Sequence, residues 1–308
     1  MRNTFIKTLF ELAREDERIV LLTADLGFSV VEEFAAAYPQ RFLNVGIAEQ
    51  NAVGIAAGLA LSGKTPFVYS IIPFVTMRCF EQVRVDAAYI NANVKLVGVG
   101  AGLGYGPAGA THHALEDVAL MRALPNMKVV CPGDPYEVKT LTREVARTPG
   151  PTYLRLGKGG EPRVHPVDTP LVLGQAAELA SGGDLALLTM SNQLDTGMRL
   201  VKRLEALGLA ATLLSFHTMK PFDTARVRSL VERGMPLFTL EEHFTTGGLG
   251  SAVAEVIAES GRGISFERFG LPDAWPHAVG SQAFLRETYG LGEEALLQRI
   301  LRRLGRAA

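Results

Sequence analysis

The sequence predicts an α/β protein built of two doubly wound domains, and three observations carry that reading. Short continuous apolar runs alternate with helix-period segments, the pattern of parallel strands covered by helices on both faces. The alternation breaks once, at 157–170 (GKGGEPRVHPVDTP), which is rich in Gly and Pro and has no periodicity. The length, 308 residues, suits two domains of roughly 150 each. The expected boundaries are a first domain over 1–158, a linker over 159–170 and a second domain over 171–308.

The elements follow in order. Residues 3–16 read as a helix and 18–23 (RIVLLT) as a buried strand. Ser29 is the expected N-cap of a helix to Tyr38, stopped by Pro39. Then come a helix over 48–62, a strand over 65–70, a helix over 75–91 and a strand over 94–100. A glycine-rich loop covers 100–111. A helix near 114–124, a strand at 127–131, a helix at 135–147 with Pro135 in its first turn, and a strand at 152–155 close the first half. The second half predicts strands at 185–190, 210–215, 236–240 and 264–268, with helices at 193–207, 224–233, 248–259 and 292–304.

Composition excludes several functions. With 47% hydrophobic and 20% charged residues the chain can bury proper cores and is not disordered. Its 31 basic and 32 acidic residues leave no nucleic-acid footprint and no polybasic membrane surface. Cys79 and Cys131, the two cysteines, make neither a disulfide framework nor a metal knuckle, so a reducing cytoplasm is the expected setting. The N-terminus lacks a signal-peptide pattern, and the longest apolar run, Val53 to Leu61, is about half of the ~20 residues a span needs. Gly54, Ala57, Gly58 and Leu61 form a small-residue face expected to pack closely against another helix near an interface.

Among the residues that can carry chemistry, Glu49 comes first. It is the only charged residue among the 22 from Phe42 to Gly63. It either complements a helix dipole or is a buried carboxyl able to donate or share a proton. The loop at 98–113 contains Gly104-x-Gly106-x-x-Gly109, but Pro107 lies inside it and no further part of a dinucleotide fingerprint surrounds it. What such a loop can do is fold over a ligand at the carboxyl end of a strand. His112 and His113 close the loop; each can cap the next helix or place an imidazole in a cleft, and no further ligands support a zinc pair. Arg78, Arg84, Arg155 and Lys158 fall near predicted element ends, where they either bind phosphate or sit solvated. No GxSxG elbow and no P-loop occurs.

Four blocks together resemble the transketolase family: NVGIAEQNAVGIAAGLALSGKTPFVYS (44–70), FVTMRCFEQVR (74–84), GPAGATHHALEDVALMRALPNMKVVCPGDPYE (106–137) and LEEHFTTGGLGSAVAE (240–255). The chain is similar to the C-terminal subunit of a split, two-chain transketolase. That resemblance implies a pyrimidine-binding domain for thiamine diphosphate followed by a transketolase C-terminal domain. It implies that Glu49 is the catalytic glutamate, hydrogen-bonded to N1′ of the cofactor's aminopyrimidine, and that Phe74 packs on that ring. It implies further that His112 faces the reacting carbonyl and hydroxyl groups with His113 beside it. Arg78 and Arg155 resemble basic residues holding a substrate phosphate in deoxyxylulose phosphate synthases. Asp25 and Ser29, in ADLGFS, occupy the block of cofactor and substrate contacts.

The chain departs from that pattern in three places. Gly100 stands where full-length transketolases have a histidine, and Ala108 where they have an aspartate, both of which read sugar hydroxyls. No GDG motif for Mg²⁺ and the diphosphate occurs anywhere. The resemblance therefore implies a partner, an N-terminal subunit with the diphosphate-binding domain, around a homodimer core in an α2β2 heterotetramer. The expected reaction moves a two-carbon ketol unit between a ketose and an aldose. The alternatives are a deoxyxylulose phosphate synthase-like or 2-oxoacid dehydrogenase beta-like subunit, or a non-catalytic regulatory partner.

Overall fold

The chain is described from a computed structural model, which covers residues 1–166 and 169–306. In the first half, α1 (Arg2–Glu15) leads into β1 (Ile19–Thr23) and α2 (Glu32–Ala37) into β2 (Phe42–Asn44). Next come α3 (Glu49–Leu61), β3 (Thr65–Ile71), α4 (Ile72–Thr76) and α5 (Phe80–Gln82), which widens into a π-helix over Val83–Tyr89. Then follow β4 (Lys95–Val99), α6 (Asp117–Ala123), β5 (Lys128–Val130), α7 (Pro135–Arg147) and β6 (Thr152–Leu156). The second half contains β7 (Ala177–Ala180), β8 (Leu185–Thr189), α8 (Leu194–Ala206), β9 (Ala211–Ser215), β10 (Thr218–Lys220) and α9 (Thr224–Glu232). It ends with β11 (Leu237–Phe244), α10 (Leu249–Ser260), β12 (Phe266–Leu271), α11 (Gln282–Thr288) and α12 (Glu293–Arg303).

Two sheets result, a seven-stranded one in the order β10-β5-β6-β4-β3-β1-β2 and a five-stranded one in the order β12-β11-β8-β9-β7. Apart from β10 and β7, which pair antiparallel at edges, the pairings are parallel. β1, β3, β4 and β6 are buried at every position, which is why they read as largely apolar runs despite Lys95 and Arg155. One face packs under α1 and α7 through Phe5, Leu9, Leu141 and Val145. The other packs under α3 and α6, and that core continues into the second half through Leu188, Leu214 and Val253. Because β1 lies between β2 and β3, the strand order reverses there. The crevice at the carboxyl ends of β1 and β3 is the ligand position such sheets offer.

Several expectations need correction. Ser29 does not cap a helix: it has φ 62°, its amide donates to Glu32 Oε1 at 2.6 Å, and α2 begins only at Glu32. The helix expected over 75–91 is broken at Met77–Cys79, where the Cys79 thiol donates to the Val75 carbonyl at 3.0 Å. The helix expected from 114 starts at Asp117, because the Ala114 amide is drawn to the Gly102 carbonyl at 2.9 Å. β2, β7, β10 and α11 were not expected; three of them are strands of three or four residues.

The segment between the two halves is strapped down. Asp134 caps α7 through the Glu137 amide at 2.8 Å, and its other oxygen accepts from the amides of Val164 and His165, both at 2.8 Å. His165 Nε2 meets Glu137 Oε1 at 2.6 Å, both side chains fully buried. Residues 167–168 of the expected linker lie outside the described residues. On α3, Gly54 and Gly58 have no other atom within 4 Å of a Cβ position, and Leu61 is 71% exposed, so this part of the small-residue face is open in the single chain. Among the described residues, no helix is long and apolar enough to cross a membrane.

Candidate active site

Glu49 is the first residue of α3 and is 1% exposed, although its neighbours Gln50 and Asn51 lie open. A buried carboxylate needs partners, and it has two: Ser70 Oγ donates to Oε1 at 3.2 Å, and Arg78 Nη1 donates to Oε2 at 2.9 Å. Ser70 comes from the carboxyl end of β3, and Arg78 from the break between α4 and α5. That break swings Arg78 back over the cleft, where its guanidinium lies 4.3 Å from the centre of the Phe74 ring. Beneath them Cys79 is held as a thiol, its pKa pushed up to about 12 first by burial and then by the Glu49 charge.

His112 completes the group. Its ring stands edge-on to Phe74 with centroids 5.2 Å apart and edge-on to Tyr105 at 5.8 Å, and Thr111 Oγ1 meets its Nδ1 at 2.9 Å. The loop beneath it begins with Gly100 (φ 94°) and Gly102 (φ 62°), backbone conformations that favour glycine. Contacts thus join Glu49, Ser70, Phe74, Arg78 and His112 in one cluster. A carboxylate, a guanidinium, an imidazole and an aromatic face in one crevice can bind a planar heterocycle edge-on and exchange protons with it.

Other expected site residues lie elsewhere. His113 turns inward, 2% exposed, with Nε2 on the Gly106 carbonyl at 3.1 Å, and burial holds its pKa below the ordinary histidine value. It anchors the loop and does not face the cleft, and neither histidine caps α6. Arg155 is fully buried: Nε donates to Asp117 Oδ2 at 2.9 Å, and Nη2 to the carbonyls of Ala114 at 2.9 Å and Glu242 at 3.1 Å. It is therefore a structural cation, not an open phosphate ligand. Asp25 stands exposed after β1, its amide and carboxylate both tied to the Asn44 side chain at 3.0 and 3.1 Å. Ser29 lines a different groove of about 550 Å³, with Ile6, Phe10 and Val30, which includes none of Glu49, Phe74 and His112.

Ser70 and Glu242 were missed. Ser70 is a small hydroxyl one residue before the end of a buried strand, a signal that was available. Glu242 in β11 is fully buried and accepts from the Leu103 amide at 2.5 Å, a contact no local pattern announces.

Does the group fit the cofactor the sequence points to? The buried Glu49 carboxylate and the Phe74 ring, both met by the Arg78 guanidinium, are group types that suit an aminopyrimidine, which presents a ring nitrogen on its edge and a π-face. For the diphosphate end, the sequence holds no GDG motif. Among the described residues no cluster of three or more His, Cys, Asp or Glu could hold a metal ion. The fold thus defines a pair of α/β domains with a buried carboxylate cluster beside β3.

Comparison with known proteins agrees with that class. The transketolase pyrimidine-binding domain profile matches residues 1–161 and the transketolase C-terminal domain profile residues 174–296. The chain belongs to the transketolase family, and it corresponds to the C-terminal subunit of split, two-chain members. It is 38% identical to an apulose-4-phosphate transketolase subunit of Phocaeicola vulgatus, over 97% of this chain and 96% of that one. It is 36% identical to a 6-deoxy-6-sulfo-D-fructose transketolase subunit of a Clostridium species, over 97% and 92%. It is 34% identical to 1-deoxy-D-xylulose-5-phosphate synthase of Pelotomaculum thermopropionicum, over 97% of this chain but 47% of that one. A solved structure of a split-gene transketolase, an inactive beta4 tetramer, superposes with a TM-score of 0.91 at 36% identity, covering 100% of this chain and 99% of that one.

Proposed function

We propose that this chain is the pyrimidine-binding subunit of a heteromeric transketolase that depends on thiamine diphosphate and Mg²⁺. The observation that carries the reading is the buried Glu49 carboxylate, joined through Arg78 to Phe74 and from there to His112 beside β3, in a sequence with no GDG motif. The reaction is transfer of a two-carbon ketol unit from a ketose donor to an aldose acceptor. The cofactor, when bound, supplies the carbanion chemistry that such a transfer needs. Glu49 holds the pyrimidine edge and the proton exchanged there, Ser70 fixes its carboxylate, and Phe74 packs on the ring. His112 hydrogen-bonds the substrate's carbonyl and hydroxyl oxygens. Arg78 is the remaining candidate for a substrate phosphate, which would compete with Glu49 for it.

Two relatives that match nearly end to end are transketolase subunits named for apulose-4-phosphate and 6-deoxy-6-sulfo-D-fructose, whereas the synthase is matched along just under half its length. That contrast supports a two-chain transferase, and Gly100 and Ala108 support a specialised sugar. The partner is an N-terminal, diphosphate-binding subunit, two copies of which join a homodimer of this chain. The superposed split-gene relative, a beta-only tetramer, is inactive, which supports the need for that partner.

The test is reconstitution. Purified alone, the chain should show no turnover and no micromolar affinity for thiamine diphosphate with Mg²⁺ in calorimetry. With the partner, ketol transfer should appear, and Glu49→Gln should lower it at least ~10²-fold on general acid–base grounds. Turnover by this chain alone would refute the reading.

A further inference from the structure

From the way β11 reaches beneath the glycine loop, we infer that Glu242 is a positioning residue for His112, with Arg286 as its counter-charge. The inference rests on the reading of His112 given above but concerns a contact from the second domain.

The loop from Gly100 to His113 carries no strand or α-helix of its own, so something else must hold it. Glu242 does so from below. Its Oε1 accepts from the Leu103 amide at 2.5 Å and from Gln282 Nε2 at 2.7 Å, and its Oε2 takes the Arg286 guanidinium. Arg286 Nη2 in turn donates to the Asn192 carbonyl at 3.2 Å, and Asn192 Nδ2 to the Ala101 carbonyl at 3.3 Å, closing a ring of contacts around the loop's first turn. The fit is tight: a Cβ on Gly102 would sit 2.5 Å from Glu242 Cγ.

The opposite end of the loop is fixed from the same strand. The Glu242 carbonyl accepts from Arg155, and the same Arg155 nitrogen holds the Ala114 carbonyl at 2.9 Å, directly after His113. Ala114 closes onto Gly102 by its amide at 2.9 Å. Both feet of the loop therefore stand on one residue, its side chain under Leu103 and its backbone under Ala114. The His112 ring projects from the clamped loop onto Phe74 and Tyr105. The chemistry is plain: a fully buried carboxylate, paired with one arginine and accepting a backbone amide, fixes that amide's direction more strongly than a neutral acceptor does. The second domain thereby contributes to the site without touching a ligand.

The experiment uses the full chain and needs no partner, cofactor or activity. Glu242→Ala and the isosteric Glu242→Gln are compared with wild type by backbone hydrogen exchange and by NMR of ring-labelled histidine. Losing a hydrogen bond to a charged group should speed exchange of the Leu103 amide roughly tenfold to a hundredfold. The His112 ring signals should lose the ring-current shifts that Phe74 and Tyr105 impose. Exchange at β1 and β3 should stay within about twofold, which separates loosening of the loop from general destabilisation. If Glu242→Ala fails to fold, Glu242→Gln alone decides. Unchanged His112 signals and Leu103 exchange in a folded variant overturn the inference. Loss of loop order in a chain whose reconstituted complex transfers no ketol unit would refute the proposed function and leave the positioning role standing.

Discussion

Replacing Arg155 with methionine distinguishes a buried structural cation from a substrate ligand. The guanidinium is wholly enclosed and makes bonds to Asp117 and to the carbonyls of Ala114 and Glu242. Without it the Asp117 carboxylate keeps only the Tyr153 hydroxyl, at 2.6 Å, and two buried carbonyls lose a donor. Breaking such a pair from one side costs ~3–5 kcal/mol, because a buried charge is left uncompensated. That is a large share of the ~5–15 kcal/mol by which domains are stable. Removing both charges with Arg155→Met and Asp117→Leu should recover part of the loss, as apolar replacements of buried pairs do. Urea unfolding of the full chain, followed by circular dichroism, reads the midpoints. A residue that held a substrate phosphate would behave oppositely, leaving stability alone and raising KM. A folded Arg155→Met variant within ~0.5 kcal/mol of wild type would refute the structural reading.

Further outcomes are expected. Glu241 accepts the amides of Leu249 and Gly250 at 2.7 and 2.8 Å, and burial raises its pKa to about 7, so its contribution to stability falls as pH rises from about 4.5 to 7. His243, driven down to about 4 by burial, acts in the opposite sense between about 4 and 6.5. Glu241→Gln should therefore leave the histidine unopposed, and stability measured by denaturant should rise with pH across that range; a flat profile would contradict the pairing. Gly102→Ala meets Glu242 as well as an unfavourable φ of 62°, whereas Gly46→Ala meets only a φ of 73° with no atom within 4 Å. The first should cost at least ~2 kcal/mol and the second ~1 kcal/mol, by urea midpoints. Arg78→Met should destabilise the chain less than Arg155→Met, by ~1–2 kcal/mol, because its side chain is 42% exposed and its pairing with Glu49 partly screened.

Most of the fold was legible because buried parallel strands announce themselves. Runs such as LALLT and KLVGV are apolar but for one end residue, Thr189 or Lys95, as strands covered on both faces tend to be. Edge strands escaped notice because β10, three residues long, has neither length nor alternation to mark it. Glu49 stood out as the one charge in a long apolar stretch, and burial is where the structure places it. Its partners were harder to see: Ser70 is 21 positions away and Arg78 is 29. Glu242 was hidden further, 139 positions from the Leu103 amide it holds. Arg155 misled for the same reason. At a strand end it reads as a surface cation, and only Asp117, 38 positions earlier, explains its enclosure.

The three residues of β10 also change what a domain means in this chain. They belong to the second half in sequence, yet they complete the first half's sheet by pairing Thr218 with Val130 and Lys220 with Val129. Cutting the chain at the Gly/Pro-rich segment would strip β5 of its neighbour and lay open a row of unpaired amides and carbonyls, the template on which edge-to-edge association begins. The two halves are better regarded as one folding cargo with a seam than as exchangeable modules. A fragment meant to isolate the pyrimidine-binding half should carry residues 216–221 with it, or an edge charge in their place, to remain monodisperse.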